Sequence, residues 1–423
     1  MRTRALVAAV AAIALGATMA GCGSSSGSGG SSGTGSGKTE AAGASINVGV
    51  VTSLTGGFAS GFLTVENGVK ARFGVENAKG GVDGHKLTYT MADDASTAAG
   101  ALSATNKLIK QDKVYSILDA SSTFYGAAPA AKAADMPVVG VSFDGGTAWH
   151  DKSYTTFFDS SGYADYSLVP DTWSKIWKSQ GCTKVGGIGN TGPSSGRAAE
   201  AAVIAAQKAG LQRGYLETQL APGTTDIGPQ VIGLKSSGTD CVYIPTTPSL
   251  AFAVVAGLRQ SGVKMKAIVL PTGYGADILE NKAGAQAAQG VDFLTAWTPV
   301  EAQTDATKAF QEALSKYAGV TGIPTFGEYV GWGIADLFVY GLKQAGGGAS
   351  QADFVKALRA STTWDDGGLF KNPTNFADPP PTAGTFTPGN CTNVVKLEGS
   401  AFKMLDGLVP ICGDILEGVK VSS

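Results

Sequence analysis

The sequence predicts an α/β protein made of two Rossmann-like lobes with parallel central sheets, and three observations carry that prediction. Strand-like and helix-like runs alternate from Ile46 onward, the alternation breaks near residue 160 and restarts, and the chain combines 60 glycines with only 16% charged residues. Alternation of this kind implies parallel strands joined by crossover helices and covered on both faces. Many glycines and few charges suit compact cores linked by tight turns. About 380 residues follow the N-terminal segments, enough for two full cores.

The first block reads as strand 46–51, a glycine-rich turn, a helical pattern through Val69, Phe73 and Val75, strand 86–91, helix 98–111, strand 114–118, helix 127–134 and strand 137–141. The second reads as helix 168–180, strand 184–188, helix 197–209, strand 214–219, helix 229–237, strand 241–244, helix 250–260 and strand 266–270. Helical patterns at 306–317, 331–344 and 351–360 follow without strands of their own. The Pro- and Gly-rich tail from Trp364 ends in a hairpin pattern at 394–397 and 401–404. Two lobes of similar plan, followed by helices without a sheet, imply a chain that crosses between lobes more than once.

The N-terminus sets the compartment. Arg2 and Arg4 precede an apolar segment from Ala5 to about Ala17, and Met19-Ala20-Gly21 leads to Cys22. Cations, a short hydrophobic core and small residues ahead of a cleavage point read as an export signal. Cys22, directly after that point, is placed for lipidation (palmitate), which fixes the new chain end in the membrane. The pattern resembles a bacterial lipoprotein signal, with Met19 where leucine is usual; the alternative is an ordinary cleaved signal with an incidental cysteine. The apolar run is too short for a comfortable span. Residues 23–45 are almost wholly Gly, Ser, Thr and Ala, a composition that buries no apolar area and makes a flexible tether. Losing Arg2 and Arg4 with the signal takes the net charge from −2 to −4, which offers no electrostatic case for nucleic acid or an anionic membrane surface.

The cysteines are Cys22, Cys182, Cys241, Cys391 and Cys412. With Cys22 lipidated, an even number remains in an oxidising compartment, which predicts two disulfides. Cys182 and Cys241 each stand at the entrance of a strand-like run, and neighbouring parallel strands bring their starts together. Cys391 and Cys412 bracket the hairpin pattern. The expected pairs are 182–241 and 391–412, with three pairings formally open. The sequence has no Cys-x-x-Cys or clustered histidine, so no metal is expected.

Asn77-Ala78-Lys79-Gly80-Gly81-Val82-Asp83-Gly84-His85-Lys86-Leu87, followed by Asp93-Asp94, closely resembles the first lobe of leucine/isoleucine/valine-binding proteins, the type I solute-binding proteins of ABC importers. Ser121-Ser122-Thr123 continues the likeness, and in the second lobe Asp226-Ile227-Gly228-Pro229-Gln230-Val231, Gly238-Thr239-Asp240 and Leu270-Pro271-Thr272-Gly273-Tyr274-Gly275 resume it. The resemblance spans roughly residues 46–405. It implies the type I periplasmic-binding-protein fold, with three hinge crossovers joining a lobe of 46–160 plus 300–365 to one of 161–299 plus 366–423, behind a signal at 1–21 and a lipidated tether at 22–45. The lobes of such proteins close on a small solute, held by loops at the carboxyl ends of strands where helix N-termini present unpaired N–H groups.

By that correspondence Ser121, Ser122 and Thr123 are expected to hold a ligand carboxylate; the bland alternative is helix capping. Phe143, Asp144 and Gly145 end the fourth strand, and Asn190, Thr191, Thr246, Thr247, Thr272 and Tyr274 take equivalent places in the second lobe. Phe58, Phe62 and Trp297 are candidates for apolar walls, each equally readable as a turn or core residue. The amino-acid binders carry an ammonium-binding glutamate where this chain has Thr272, which puts a plain amino acid in doubt. Asp144 is a possible substitute charge; an amide, urea-like compound or aromatic carboxylate is the other option, with a slight lean to an amino-acid-like solute.

Three enzyme-like motifs carry less weight. Gly187-Ile188-Gly189-Asn190-Thr191-Gly192 fits a dinucleotide turn, but nicotinamide cofactors are scarce outside the cytoplasm. Gly192-Pro193-Ser194-Ser195-Gly196 fits a nucleophile elbow, which needs a later histidine, and His85 and His150 both come earlier. The run 32–39 resembles a phosphate loop with Ser32 in place of its first glycine and no strand before it. Asp93-Asp94 and Asp365-Asp366 read as capping and loop-bonding pairs. The expected protein is therefore a cofactor-free, non-enzymatic, lipid-anchored solute receptor. It is expected to be monomeric, to bind no nucleic acid, to touch the membrane only through its anchor, and to deliver its solute to an ABC permease. The alternative is a sensing receptor of the same fold acting on a regulatory partner.

Overall fold

The computed structural model describes residues 43–384 and 386–422. The signal, Cys22, the tether as far as residue 42 and the phosphate-loop-like run 32–39 lie outside the described residues.

Strands β1 (Ile46–Thr52), β2 (Leu87–Asp93), β3 (Ile117–Ala120), β4 (Val138–Gly140) and β5 (Phe157–Asp159) form a parallel sheet in the order β2-β1-β3-β4-β5. Val48, Val50 and Val51 are fully buried, so β1 is covered on both faces, as its near-continuous apolar run requires. Helices α1 (Val65–Ala78), α2 (Ala98–Lys110) and α3 (Ala128–Ala133) connect these strands. Thr97 caps α2 by accepting from the Gly100 N–H at 3.0 Å.

The chain then runs through two short strands, β6 (Tyr163–Asp165) and β7 (Leu168–Pro170), to α4 (Thr172–Ser179). The helix expected over 168–180 therefore loses its first turn. Pro170 lacks the N–H that a helix interior needs, and residues 168–170 pair with a C-terminal strand instead. Next come β8 (Lys184–Asn190), α5 (Pro193–Lys208), β9 (Gln212–Leu220), α6 (Gly228–Ser237), β10 (Cys241–Tyr243), α7 (Pro248–Gln260), β11 (Ala267–Leu270), the short helices α8 (Ala276–Glu280) and α9 (Lys282–Ala287), and β12 (Asp292–Thr295). These strands are parallel and continue into an antiparallel C-terminal hairpin. Trp173 and Trp177 stack at 5.5 Å beneath this sheet, and Trp173 meets Tyr243 at 4.3 Å.

After β12 the chain returns to the first sheet with α10 (Asp305–Ala313), α11 (Phe326–Ala345) and α12 (Gln351–Arg359), α11 packing on α1, β3 and β4. The α1–α11 contact is backbone on backbone: a Cβ on Gly68 would lie 2.2 Å from the Glu328 carbonyl oxygen, and one on Gly331 2.0 Å from that of Val65. Only glycine permits this approach. A third passage along 364–376 leads to β13 (Pro381–Ala383), parallel to β6, then to the hairpin of β14 (Asn393–Glu398) and β15 (Ala401–Met404), and to β16 (Ile415–Lys420), antiparallel to β7. The second sheet thus has the order β15-β14-β12-β11-β10-β8-β9. Three passages between sheets make this the two-lobed, doubly wound architecture of type I periplasmic binding proteins.

Buried charge ties the passages down. Arg72 of α1 donates to Asp336 of α11 at 2.6 Å and to Glu76 at 3.1 Å, and Lys343 reaches Glu76 at 2.8 Å. Asp336 also accepts from Trp364 Nε1 at 2.9 Å, and Asp366 from Trp297 Nε1 at 2.8 Å, so the second and third passages are joined to each other and to the first lobe. Disulfides link Cys182 to Cys241 and Cys391 to Cys412. The first joins the entrances of hydrogen-bonded β8 and β10, with Cα atoms 5.8 Å apart.

Candidate ligand-binding site

A cavity of about 150 Å³ lies between the carboxyl ends of the two sheets. That space would hold roughly ten waters. The first lobe supplies Phe58 and Phe62 after β1, Ser122 after β3, Phe143 after β4, and Ser160 and Ser161 after β5. The second supplies Asn190 at the end of β8, Ser194 and Ser195 at the start of α5, Thr246 and Thr247 after β10, Thr272 and Tyr274 after β11, and Trp297 after β12. This is where parallel α/β sheets bind ligands: strand ends point their loops at a common crevice.

The apolar wall is a connected set of rings. Phe143 and Phe326 lie 5.3 Å apart, Phe62 is 6.1 Å from both, and Trp297 stacks on Tyr329 at 5.4 Å. Their polar handles turn outward: Trp297 Nε1 donates to Asp366, and the Tyr274 hydroxyl donates to Glu301 at 2.6 Å while accepting from the Val300 N–H. Burial, together with the neighbouring Tyr329 and Glu301, holds the Tyr274 hydroxyl well above its ordinary pKa.

The polar wall is mostly hydroxyl. Thr272 Oγ1 donates to the Thr246 carbonyl at 2.9 Å, Ser195 Oγ to the Pro245 carbonyl, and Thr295 Oγ1 to the Trp297 carbonyl at 3.1 Å. Asn190 Oδ1 accepts from the Gly192 N–H at 2.8 Å. Buried Thr246 Oγ1 has no hydrogen-bond partner among the described residues.

Several contacts bridge the lobes beside the cavity. Ser194 Oγ donates to the Phe143 carbonyl, Arg197 to the Gly145 carbonyl at 3.4 Å, and the Ser60 and Ser249 hydroxyls meet at 3.0 Å. Gly145 has φ +63°, and a Cβ there would come within 2.6 Å of the Ser194 nitrogen. The two lobes are closed on each other in this structure.

The cavity thus gathers Phe58, Phe62, Ser122, Phe143, Asn190, Thr246, Thr247, Thr272, Tyr274 and Trp297 from the residues expected at the site. Ser121, Thr123, Asp144, Gly145 and Thr191 are not on its wall. Ser121 Oγ donates to Asp94, as does Thr123 Oγ1 at 3.1 Å; Ser53 and the Ser96 N–H complete the set around that carboxylate. Both hydroxyls are therefore turned onto Asp94 rather than toward the cavity, and Thr123 makes no side-chain cap bond to the helix after it. Asp144 accepts from the Gly146 N–H at 2.9 Å and Trp149 Nε1 at 2.8 Å, inside the first lobe. Burial pushes its carboxyl up to about 6 despite these bonds. The Thr191 N–H is spent on the Leu220 carbonyl at 2.8 Å.

The wall also includes residues that no motif marks, Ser142, Ser160, Ser161, Tyr166, Phe326, Tyr329, Phe370 and Phe386, together with Ser194 and Ser195 of the 192–196 turn. Most sit on crossovers or at the start of α11, where no local pattern marks a binding residue. Ser194 and Ser195 had a signal, the glycine-serine turn after β8. Ser195 Oγ is committed to the Pro245 carbonyl and accepts from the Asn190 N–H at 2.9 Å, without a base to activate it. Among the described residues no group of three or more His, Cys, Asp or Glu is placed to hold a metal, and no helix is long and apolar enough to cross a membrane.

A closed cleft between two doubly wound lobes, lined from the strand ends of both, defines a solute-binding protein. The chain belongs to the periplasmic binding protein family, whose profile matches residues 45–401. Leu/Ile/Val-binding protein homolog 3 of Brucella melitensis biotype 1 is 26% identical over 339 residues, 75% of this chain and 84% of that one. The fatty acid ABC transporter substrate-binding protein from Thermomonospora curvata shares the fold with a TM-score of 0.70 at 21% identity, covering 88% of this chain and 93% of its own. A solute-binding protein of an R. palustris ABC transporter, solved in complex with benzoate, has a TM-score of 0.71 at 16% identity, covering 89% and 99%. Identities this low establish the shared fold alone.

Proposed function

We propose that this protein captures a small solute between its closing lobes outside the cytoplasm and hands it to an ABC permease, with binding and closure as its whole chemistry. The observation that carries the reading is the cleft itself. Strand ends of both sheets wall one cavity, and Ser194, Arg197 and Ser249 of one lobe bond directly to Phe143, Gly145 and Ser60 of the other beside it. A solute held there contacts both lobes at once, so it favours the closed arrangement by its differential affinity. The rigid bodies in that motion are 46–160 with 300–365 and 161–299 with 366–423.

Cys22 and the tether to residue 45 complete the proposal. An anchored receptor stays near its permease at high effective concentration, where a freely diffusing one would not. The cavity supports a compact solute with an apolar body.

A thermal-shift screen of the mature chain tests capture. Amino acids, amides, ureas, aromatic acids and short fatty acids at millimolar concentration should include at least one that raises the melting temperature, since ligand at a hundred times Kd adds about 2.7 kcal/mol. A flat response across the panel would sink the reading. Cys22→Ala should release the protein from the membrane fraction; unchanged fractionation would remove the anchor from it.

A further inference from the structure

The chemistry of the cavity wall points to one class of solute, an inference that rests on the capture reading above and deepens it. The wall is made of aromatic, aliphatic, glycine, proline, serine, threonine and asparagine residues, with no charged side chain among them. A bound solute therefore meets rings, methyl groups, hydroxyls, one side-chain amide and backbone groups. Several of the protons of those hydroxyls are spent inside the protein. Thr272, Ser195, Ser194 and Thr295 all donate to backbone carbonyls, and Ser161 donates to Asp159 at 2.7 Å. A hydroxyl whose proton is committed offers only lone pairs. Thr246 differs, because its buried Oγ1 has no hydrogen-bond partner among the described residues and is able to donate or accept. Asn190 has its oxygen occupied by Gly192 and presents its NH2 group.

Behind the first-lobe wall lie carboxyls of one sign. Asp94, Asp119, Asp144 and Asp159 are buried at or just past the ends of their strands, and Asp119 feels the charges of the other three. A carboxylate ligand would add a further negative charge in front of this cluster. A cationic ligand fares little better. The carboxylates are turned inward, to Ser53, Ser121 and Thr123 for Asp94, to Gly146 and Trp149 for Asp144, and to Ser161 for Asp159. None reaches the wall to pair with it. Moving an ion out of water without a partner costs far more than moving a neutral polar group that finds one.

We propose that the cavity takes an uncharged solute with an aromatic or similarly flat apolar body and a neutral hydrogen-bonding head, an amide or an alcohol, held by Thr246 and Asn190. Its size is roughly ten non-hydrogen atoms, one ring with a short substituent. Such a head both donates and accepts, matching what the two side chains present, while the body packs among Phe62, Phe143, Phe326 and Trp297.

Calorimetric titration of the full mature chain with five single-ring probes tests this: benzamide, benzyl alcohol, benzoate, benzylamine and L-phenylalanine. Benzamide or benzyl alcohol should bind at least tenfold more tightly than any of the three charged probes. Tightest binding by benzoate, benzylamine or phenylalanine would overturn the neutral-head assignment. So would no binding by any of the five. In that case a melting shift with another solute in the wider screen leaves capture standing, and a flat screen removes both. Thr246→Val should weaken the neutral probe about fivefold with the melting temperature of the unliganded protein unchanged. An unchanged affinity would remove Thr246 from the site.

Discussion

The carboxyl ends of the two parallel sheets face the same cavity, yet they are built on opposite plans. In the first lobe the strand ends carry Asp93, Asp94, Asp119, Asp144 and Asp159, and the nearby hydroxyls of Ser121 and Thr123 are drawn down onto Asp94. In the second lobe the corresponding positions are neutral: Asn190, Thr246, Thr247 and Thr272 stand on the cavity wall. One end is a bonded, buried acid network that presents rings and a few serines; the other presents polar groups directly. Equivalent places in two similar folds therefore do different work. A hydroxyl beside a buried carboxylate bonds it first, because leaving that acceptor unpaired costs more than forgoing a ligand contact.

The lobes also differ at the opposite ends of their strands, and this difference has the largest expected effect. Cys182–Cys241 staples β8 to β10 across a separation of 59 residues, while the first sheet has no such link among its described residues. Loop-closure entropy assigns this bond about 4 kcal/mol. The double variant Cys182→Ser/Cys241→Ser should lose that much in denaturant unfolding, with the second lobe melting first if the transition splits. A loss below about 1 kcal/mol would mean that packing around Trp173 and Trp177 already holds the sheet.

The acid network predicts a pH response opposite in sign to that of Asp240 in the second lobe, and Asp292 of that lobe adds to it because burial raises its carboxyl to about 6 as well. Burial raises the Asp144 and Asp159 carboxyls from 3.8 to about 6, so the folded state holds protons the unfolded chain releases. Stability from these groups is greatest below about 4 and falls as pH rises toward 6, by roughly 2–3 kcal/mol for each. Asp240 in the second lobe behaves the other way. Burial opposes its ionisation, but bonds from Lys266, Thr183 and the Lys184 N–H outweigh burial and lower it to about 2. Its contribution is present above 3.8 and is lost as pH falls toward 2. Denaturant midpoints from pH 3 to 8 should show the fall between 4 and 6, and Asp144→Asn with Asp159→Asn should reduce it, leaving the part that Asp292 contributes. A midpoint that climbs through that window in the parent protein would contradict the assignment.

The smallest effect separates two neighbouring serines. Ser121→Ala should cost about 1–2 kcal/mol of stability by removing a donor from buried Asp94, with solute affinity within about twofold. Ser122→Ala should do the reverse, weakening solute binding severalfold while leaving the melting temperature in place. If both variants act on binding alone, the first-lobe turn is a ligand site after all.

Much of the architecture was legible because it depends on local pattern. Alternating apolar strands and helices, the glycine turns and the cysteine positions at strand entrances all follow from rules that need only neighbours in sequence, and the 182–241 and 391–412 pairs came from the same reading. Pro170 was the local signal that the 168–180 pattern overrode. The site was legible through the family resemblance, which put it at the strand ends. It placed Asn190, Thr246, Thr272 and Trp297 on the cavity, but not Tyr166, Phe326, Tyr329 or Phe370. Those four reach it from a crossover or from the start of α11, elements that arrive at the cleft only when the chain crosses back between sheets.

Periodicity and turn chemistry, which are properties of short segments, determined the class of fold and the paired lobes, and the family resemblance pointed to strand ends as the place for a solute. Tertiary structure decided which polar groups remain available there. Whether a hydroxyl meets a ligand or an aspartate depends on what folds in behind it. Asp94 lies 27 residues from Ser121, and Asp366 lies 69 from Trp297. Partners that far apart are chosen by the packing of whole elements, which no local pattern records.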